Sequence, residues 1–326
     1  MVLDGAIFTL IVAFTIISGI NDGGNLMATF LASRTLRPFT VVPLILISIG
    51  LGPMVFGTAV SHTIAVEIIN FQVAGYGVLT GALLAALFTL LVTWKMKMPT
   101  STTVALGGGM IGAALVSGHA RDIHLLGIVK LLIGLLGSVG LGFLAAWLLT
   151  RAIWWILSRL SADRIHQLEK GQYLTAFWQG LAYGANDQEK AIGLMALFFM
   201  ILHHQTRYQV PIAAIFLPLV FWALGMIFGG IRIARTVGNH VIRVNPMNAV
   251  STQCAAAITV SLAAIAGFPV STTQTTDGSL FGTGTALRPG SVRWIVVRKI
   301  LGVWALTLPA AIVLGGGIMA LFLWIK

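Results

Sequence analysis

Apolar runs of about 20 residues alternate along the whole chain with short breaks of charged and turn residues. Taking helices from the runs and loops from the breaks predicts ten segments, over 2–33, 39–61, 74–94, 99–116, 125–149, 172–202, 210–230, 248–267, 270–287 and 296–323. The one clearly polar interruption is 151–171, which holds Arg151, Arg159, Arg164 and Lys170 and divides the chain near its middle. Segments of this length suit the hydrocarbon thickness of a bilayer.

Composition removes the soluble alternative. A chain of 326 residues would ordinarily suggest two water-soluble domains, but 57% of it is hydrophobic and only 9% charged. Soluble proteins carry about 25% charged residues, and so few charges cannot cover a water-facing surface. The expected class is an all-α polytopic membrane protein, with the lipid bilayer as its first partner. The net charge of +11 does not point to nucleic acid, because the basic residues are spread between apolar runs and read as topology signals. Cys254 is the single cysteine and lies in an apolar stretch, so inert packing is expected of it. Asp4 stands where a signal peptide would place lysines, so the first run is expected to belong to the mature protein.

The two halves resemble each other. Asn21-Asp22-Gly23-Gly24-Asn25 corresponds to Asn186-Asp187-Gln188-Glu189-Lys190 at an offset of 165. Pro99-Thr100-Ser101-Thr102-Thr103 corresponds to Pro269-Val270-Ser271-Thr272-Thr273 at an offset of 170. Two unrelated motifs in one order at nearly one offset indicate a duplication: a first repeat over 1–150, a polar cytoplasmic linker over 151–171 and a second repeat over 172–326. With the N-terminus outside and every segment crossing, 15 basic residues, Arg34, Arg37 and Arg243 among them, fall inside and 4 outside. Five crossings per half then leave the repeats inverted, as in secondary transporters that bind near the midplane. Residues 74–116 and 248–287 could instead form re-entrant hairpins with the two proline motifs at their tips, leaving three crossings per half and the same inversion. The sequence leaves both arrangements open.

Asp22, Asp187, Glu189 and Asp277 fall inside apolar segments, where an ionisable residue costs at least ~2.5–3.5 kcal/mol and usually serves function. Asp22 precedes a Gly-Gly pair, where the helix is expected to unwind. With the oxygens of Asn21 and Asn25 it would make a hard-cation site, sodium included, or a proton site, and Asn186 with Asp187 repeats the arrangement. In the second motif pair, Ser101, Thr102, Thr103, Ser271, Thr272 and Thr273 set hydroxyls beside the unpaired N–H groups of a helix start. Two such starts would form one oxyanion cage. Lys190, three residues after Asp187, joins the anion-binding set, although it could instead neutralise Asp187 or Glu189. Gly107-Gly108-Gly109 and Gly315-Gly316-Gly317 lack the lysine of a phosphate loop and read as close helix packing. No transition-metal spacing, nucleophile–base pair or nucleotide motif is visible, so neither an enzyme nor a bound cofactor is expected.

These residues resemble the inorganic phosphate transporter family. The resemblance rests on the two Asn-Asp motifs, on Gly184 through Ala191, on Pro269-Val270-Ser271-Thr272-Thr273, and on the stretch from Thr236 through Pro309. It implies symport of inorganic phosphate with sodium or protons by alternating access in the cell inner membrane, with a homodimer among the assemblies to be tested. The family also contains sulfate permeases, so sulfate is the alternative cargo, and an anion channel is the alternative class. Three departures bear on coupling. The family histidine after Ser-Thr-Thr is Val104 in the first half and Gln274 in the second, and the one before the second Gly-x-Asn-Asp is Tyr183. Before the first Asn-Asp, Gly19-Ile20 retains glycine only two positions away. Coupling is therefore expected at Asp22 and Asp187, with Gln274 a neutral member of the anion site. Hydrogen phosphate carries protons that a buried carboxylate accepts and sulfate does not, so carboxylates facing the anion favour phosphate.

Overall fold

The structure, a computed structural model, describes residues 2–33, 36–96, 98–159, 165–205, 207–240 and 245–325. Arg34, Arg164 and Arg243, invoked above for topology, lie outside them. Among the described residues every regular element is helical.

Helix α1 (Val2–Ser18) runs through a π-helical turn (Gly19–Gly23) into α2 (Gly24–Ser33). Proline at the start of α3 (Pro38–Phe56) suits a position whose N–H has no helical partner. Gly57, at φ 84°, ends that helix, and the chain continues through α4 (Ala59–His62) and a second π-helical turn to Glu67. The expected single segment 39–61 is thus broken at the residue that tolerates positive φ. Next come α5 (Phe71–Lys95), α6 (Thr102–Val116) and α7 (Leu125–Leu157). The second half runs in the same order: α8 (Ile165–Tyr183), a π-helical turn (Gly184–Gln188), α9 (Glu189–Leu202), α10 (Ile212–His240), α11 (Pro246–Ile265), α12 (Thr272–Leu287) and α13 (Trp294–Ile325). The polar stretch 151–171 is helical at both ends, because α7 continues to Leu157 and α8 begins at Ile165; residues 160–164 lie outside the described set.

Two hairpins, α5–α6 and α11–α12, each return to the end they started from. Near the open end of the first, Ile69 and Ile123 form an isolated antiparallel bridge. Near the open end of the second, Thr252 and Thr283 share a 3.0 Å hydroxyl contact. The returning helices have 15 and 16 residues, about 22–24 Å at 1.5 Å per residue and short of a ~30 Å hydrocarbon core. By contrast α7 and α13, with 33 and 32 residues, are long enough to cross with turns to spare.

Helices are exchanged between the halves. A Cβ on Gly112 of α6 would lie 2.0 Å from the Ile312 carbonyl oxygen on α13, and one on Gly282 of α12 would lie 2.1 Å from that of Phe143 on α7. Gly112 and Gly282 are separated by the offset of 170 that relates the two proline motifs. The last helix of each half therefore packs on the hairpin of the other, and only glycine admits so close a crossing. The triple glycines behave as expected of packing: a Cβ on Gly315 would meet the Gly109 carbonyl oxygen at 2.4 Å.

Candidate functional site

Four segments converge where the π-helical turns meet the hairpin tips. At Gly19–Gly23 and Gly184–Gln188 the helix widens rather than opening into a loop, which corrects the expected unwinding at Asp22. Local sequence explains the widening: glycine opens each turn, and an Asn-Asp pair whose short polar side chains compete with the backbone follows. Single π turns of this kind gather at functional sites. Each turn is clamped by a glycine crossing. A Cβ on Gly19 would meet the Trp222 carbonyl oxygen at 2.0 Å, and one on Gly184 that of Ile49 at 2.1 Å.

Asp22, 1% exposed, is held by both hairpins. Its Oδ2 accepts from Thr102 Oγ1 at 2.7 Å and from Ser18 Oγ at 3.0 Å, while Oδ1 accepts from Thr273 Oγ1 at 3.0 Å. Asp187 is fully buried; its Oδ2 accepts from Thr272 Oγ1 at 2.5 Å and its Oδ1 from Lys190 Nζ at 2.6 Å. Lys190 also donates to Thr102 Oγ1 at 2.8 Å and Thr103 Oγ1 at 2.9 Å, and stands 3.9 Å from Asp22 Oδ2. Thr103 passes its own proton to the Val270 carbonyl, tying one hairpin tip to the other.

This network reassigns several expected roles. The hydroxyl protons of Thr102, Thr272 and Thr273 go to the acidic pair, and that of Thr103 to the Val270 carbonyl, so all four are committed to acceptors within the protein. Ser101 Oγ accepts from the Val104 N–H at 3.1 Å and Ser271 Oγ from the Gln274 N–H at 3.2 Å, so both serines are helix N-caps. As acceptors in these bonds they keep their own O–H protons. All three protons of the Lys190 ammonium go to Asp187 and the two threonines. Glu189 is not its partner: Glu189 Oε2 accepts from the Ser61 N–H at 2.9 Å. Gln274 is buried at the start of α12, on the first turn that Ser271 caps.

The asparagines anchor by nitrogen. Asn25 Nδ2 donates to the Thr273 carbonyl, Asn186 Nδ2 to that of Phe268 and Asn21 Nδ2 to that of Ile17. Their Oδ1 atoms are buried with no hydrogen-bond partner among the described residues. Sequence reasoning left two participants out of the site. Ser18 lies one helical turn before Asp22, and that spacing alone could have found it. Asp277, one turn after Thr273, is buried beside Asn25. Among the described residues no group of three His, Cys, Asp or Glu could hold a metal ion.

The tips are fixed from outside the site. Trp304 Nε1 of α13 donates to the Pro99 carbonyl at 3.3 Å, and Thr100 and Thr307 share a 3.0 Å hydroxyl contact. Thr63 Oγ1 holds the Gly267 carbonyl at 2.9 Å.

A sequence model described as "Phosphate transporter family" matches residues 18–170 and again 161–315. A Rhizobium meliloti protein named "Probable low-affinity inorganic phosphate transporter" is 32% identical over 91% of this chain and 90% of its own length. A Bacillus subtilis protein of the same name is 29% identical over 93% and 92%. A solved structure titled "The sodium-dependent phosphate transporter" superposes with a TM-score of 0.87 at 21% identity, covering 100% of both chains, and so shares the fold.

Proposed function

The chain belongs to the phosphate transporter family, and from that premise we propose that it carries inorganic phosphate across the cell inner membrane as a secondary symporter driven by sodium or protons. The observation that carries this reading is the charge count at the hairpin tips. Asp22 and Asp187 face one ammonium, that of Lys190, and all three side chains are at most 1% exposed. With both carboxylates ionised the cluster bears a net negative charge, and an anion brought beside it is repelled strongly in a poorly screened interior. Cations or protons must enter with the anion. Coupling follows from that electrostatic requirement.

The roles divide accordingly. Asp22 and Asp187, with the free oxygens of Asn21, Asn25 and Asn186, supply the negative charge and the oxygens on which coupling to a cation or proton depends. The anion is received by the helix starts of α6 and α12, whose N–H groups and dipoles favour negative charge, with the O–H protons of Ser101 and Ser271 and the amide of Gln274. In the bilayer the hairpins would be re-entrant, with tips at the midplane and irregular backbone shielded by protein. Inverted repeats with the N-terminus outside fit the basic-residue bias.

A carrier suits the wall chemistry better than a channel does. Beyond the tips, α9 from Ala191 to Leu202 and α6 from Val104 to Val116 are apolar, whereas α12 and α11 carry Thr276, Asp277, Thr283, Thr252 and Gln253. A conducting pore needs polar walls on both sides of its filter. Phosphate rather than sulfate is the proposed cargo because the matching family and its relatives are described as phosphate transporters. Counterflow of labelled phosphate from reconstituted vesicles tests the proposal: saturable exchange is expected, and flux that never saturates would indicate a channel.

A further inference from the structure

The two π-helical turns share an Asn-Asp pair and differ at each of the next three positions, Gly23-Gly24-Asn25 against Gln188-Glu189-Lys190. Three residues after the aspartate, the first half has Asn25 and the second has Lys190. Asn25 donates to the carbonyl of Thr273, and Lys190 donates to the hydroxyl of Thr103, the repeat counterpart of Thr273. The two side chains thus reach matching points on opposite hairpins. What differs is the charge they bring.

Around the Lys190 nitrogen stand three oxygens and no other hydrogen-bond partner among the described residues: Asp187 Oδ1 at 2.6 Å, Thr102 Oγ1 at 2.8 Å and Thr103 Oγ1 at 2.9 Å. A carboxylate and two hydroxyls are the donor set of a hard monovalent cation, and the ammonium sits inside it at 1% exposure. Symmetry marks the insertion. Thr273 donates its proton straight to Asp22, but Thr103 gives its own to the Val270 carbonyl, and the ammonium lies between Thr103 and Asp187. An anion could recruit Lys190 only by taking a donor from one of these partners.

We propose that the Lys190 ammonium is a tethered cation, filling in the second half a site that would otherwise take a free monovalent cation such as sodium. The second half then needs no coupling ion of its own, and ion coupling is concentrated at Asp22. This assignment of coupling rests on the transport function proposed above; occupancy of the cradle can be tested without it.

The test uses the full-length purified protein without phosphate, with its thermal midpoint followed as sodium replaces choline at constant ionic strength. Lys190→Asn and Lys190→Gln open the cradle and should gain a saturable sodium-dependent rise in midpoint larger than that of the wild type. Lys190→Arg keeps a tethered charge and should respond as the wild type does. Asp187→Asn combined with Lys190→Asn should lose the extra rise. The proposal is overturned if both opened variants respond to sodium as the wild type does, or if the extra rise survives without Asp187. Failure of both to fold in sodium and in choline alike also overturns it, since a free cation then cannot replace the ammonium. In vesicles, Lys190→Asn should require one more sodium ion per phosphate than the wild type. Absence of phosphate counterflow by the wild type would instead contradict the proposed function and leave the midpoint result readable.

Discussion

Thr102 Oγ1 donates to Asp22 Oδ2 at 2.7 Å across 80 residues of sequence, so the first turn of α6, at one hairpin tip, and the π-helical turn between α1 and α2 form a single polar unit. A charged acceptor makes such a bond worth about 1.5–3 kcal/mol. Asp22→Asn keeps the shape and removes the charge. It is expected to reduce coupled phosphate uptake by about tenfold or more at unchanged expression, and Asp187→Asn should do the same. Wild-type uptake in both variants would remove the carboxylates from coupling.

Ser101 and Ser271 cap their helices and, in the proposed site, present a proton to the anion. Each alanine variant should therefore show two effects. Loss of the cap is expected to lower stability by about 0.5–2 kcal/mol, read from thermal unfolding. Loss of the O–H donor should raise the half-saturating phosphate concentration. A lower stability with unchanged half-saturation in both variants would leave these serines as caps alone.

Gly184 opens the π-helical turn between α8 and α9 at a close backbone crossing. An alanine there would place Cβ 2.1 Å from the Ile49 carbonyl oxygen, and backbone cannot yield as a flexible side chain can. Gly184→Ala should cost about 1–3 kcal/mol or more by overpacking. Gly171, in the preceding helix α8, has open space where a Cβ would stand, with nothing within 4 Å, and Gly171→Ala should stabilise by about 0.5–1 kcal/mol. Thermal midpoints that move together in the two variants would contradict this contrast.

Glu67 lies past the apolar segment that ends near Phe56, and its Oε2 accepts from Lys130 Nζ at 2.5 Å and from Thr63 Oγ1 at 3.1 Å. Partial burial pushes its pKa up, but the Lys130 and Thr63 hydrogen bonds outweigh that and hold it below the usual value. A carboxylate whose folded-state pKa is depressed contributes stability above its unfolded pKa, about 4.3, and loses it as pH falls through the folded value. The midpoint difference between wild type and Glu67→Gln should thus be present near pH 7 and shrink below about pH 4. A difference that does not change with pH would exclude the ion pair as its source.

Much of the architecture is legible in the sequence because apolar runs and charged breaks map directly onto helices and turns. Ten segments, the repeated Asn-Asp and Pro-x-Ser-Thr-Thr motifs and the packing role of the triple glycines are all read this way. Three features need the structure. A π turn keeps every residue helical, so at Asp22 hydrophobic periodicity cannot distinguish it from unwinding. The return of the hairpins depends on contacts such as Ile69 with Ile123, which no local pattern encodes. The hydroxyls of the Ser-Thr-Thr motifs could serve an anion or the carboxylates. Only the placement of Asp22, Asp187 and Lys190 shows that the four threonines donate to protein acceptors while the serines retain a free proton.

In the proposed mechanism the negative cluster at Asp22 and Asp187 makes phosphate entry depend on a co-transported cation or proton. The most direct test of this dependence is uptake of labelled phosphate and sulfate into sealed vesicles of purified protein, with sodium or proton gradients imposed singly. Concentrative phosphate uptake under one of these gradients, lost in Asp22→Asn and weaker for sulfate, is the expected result. Phosphate accumulation that ignores both gradients, or equal coupled uptake by wild type and Asp22→Asn, would contradict coupling through this cluster.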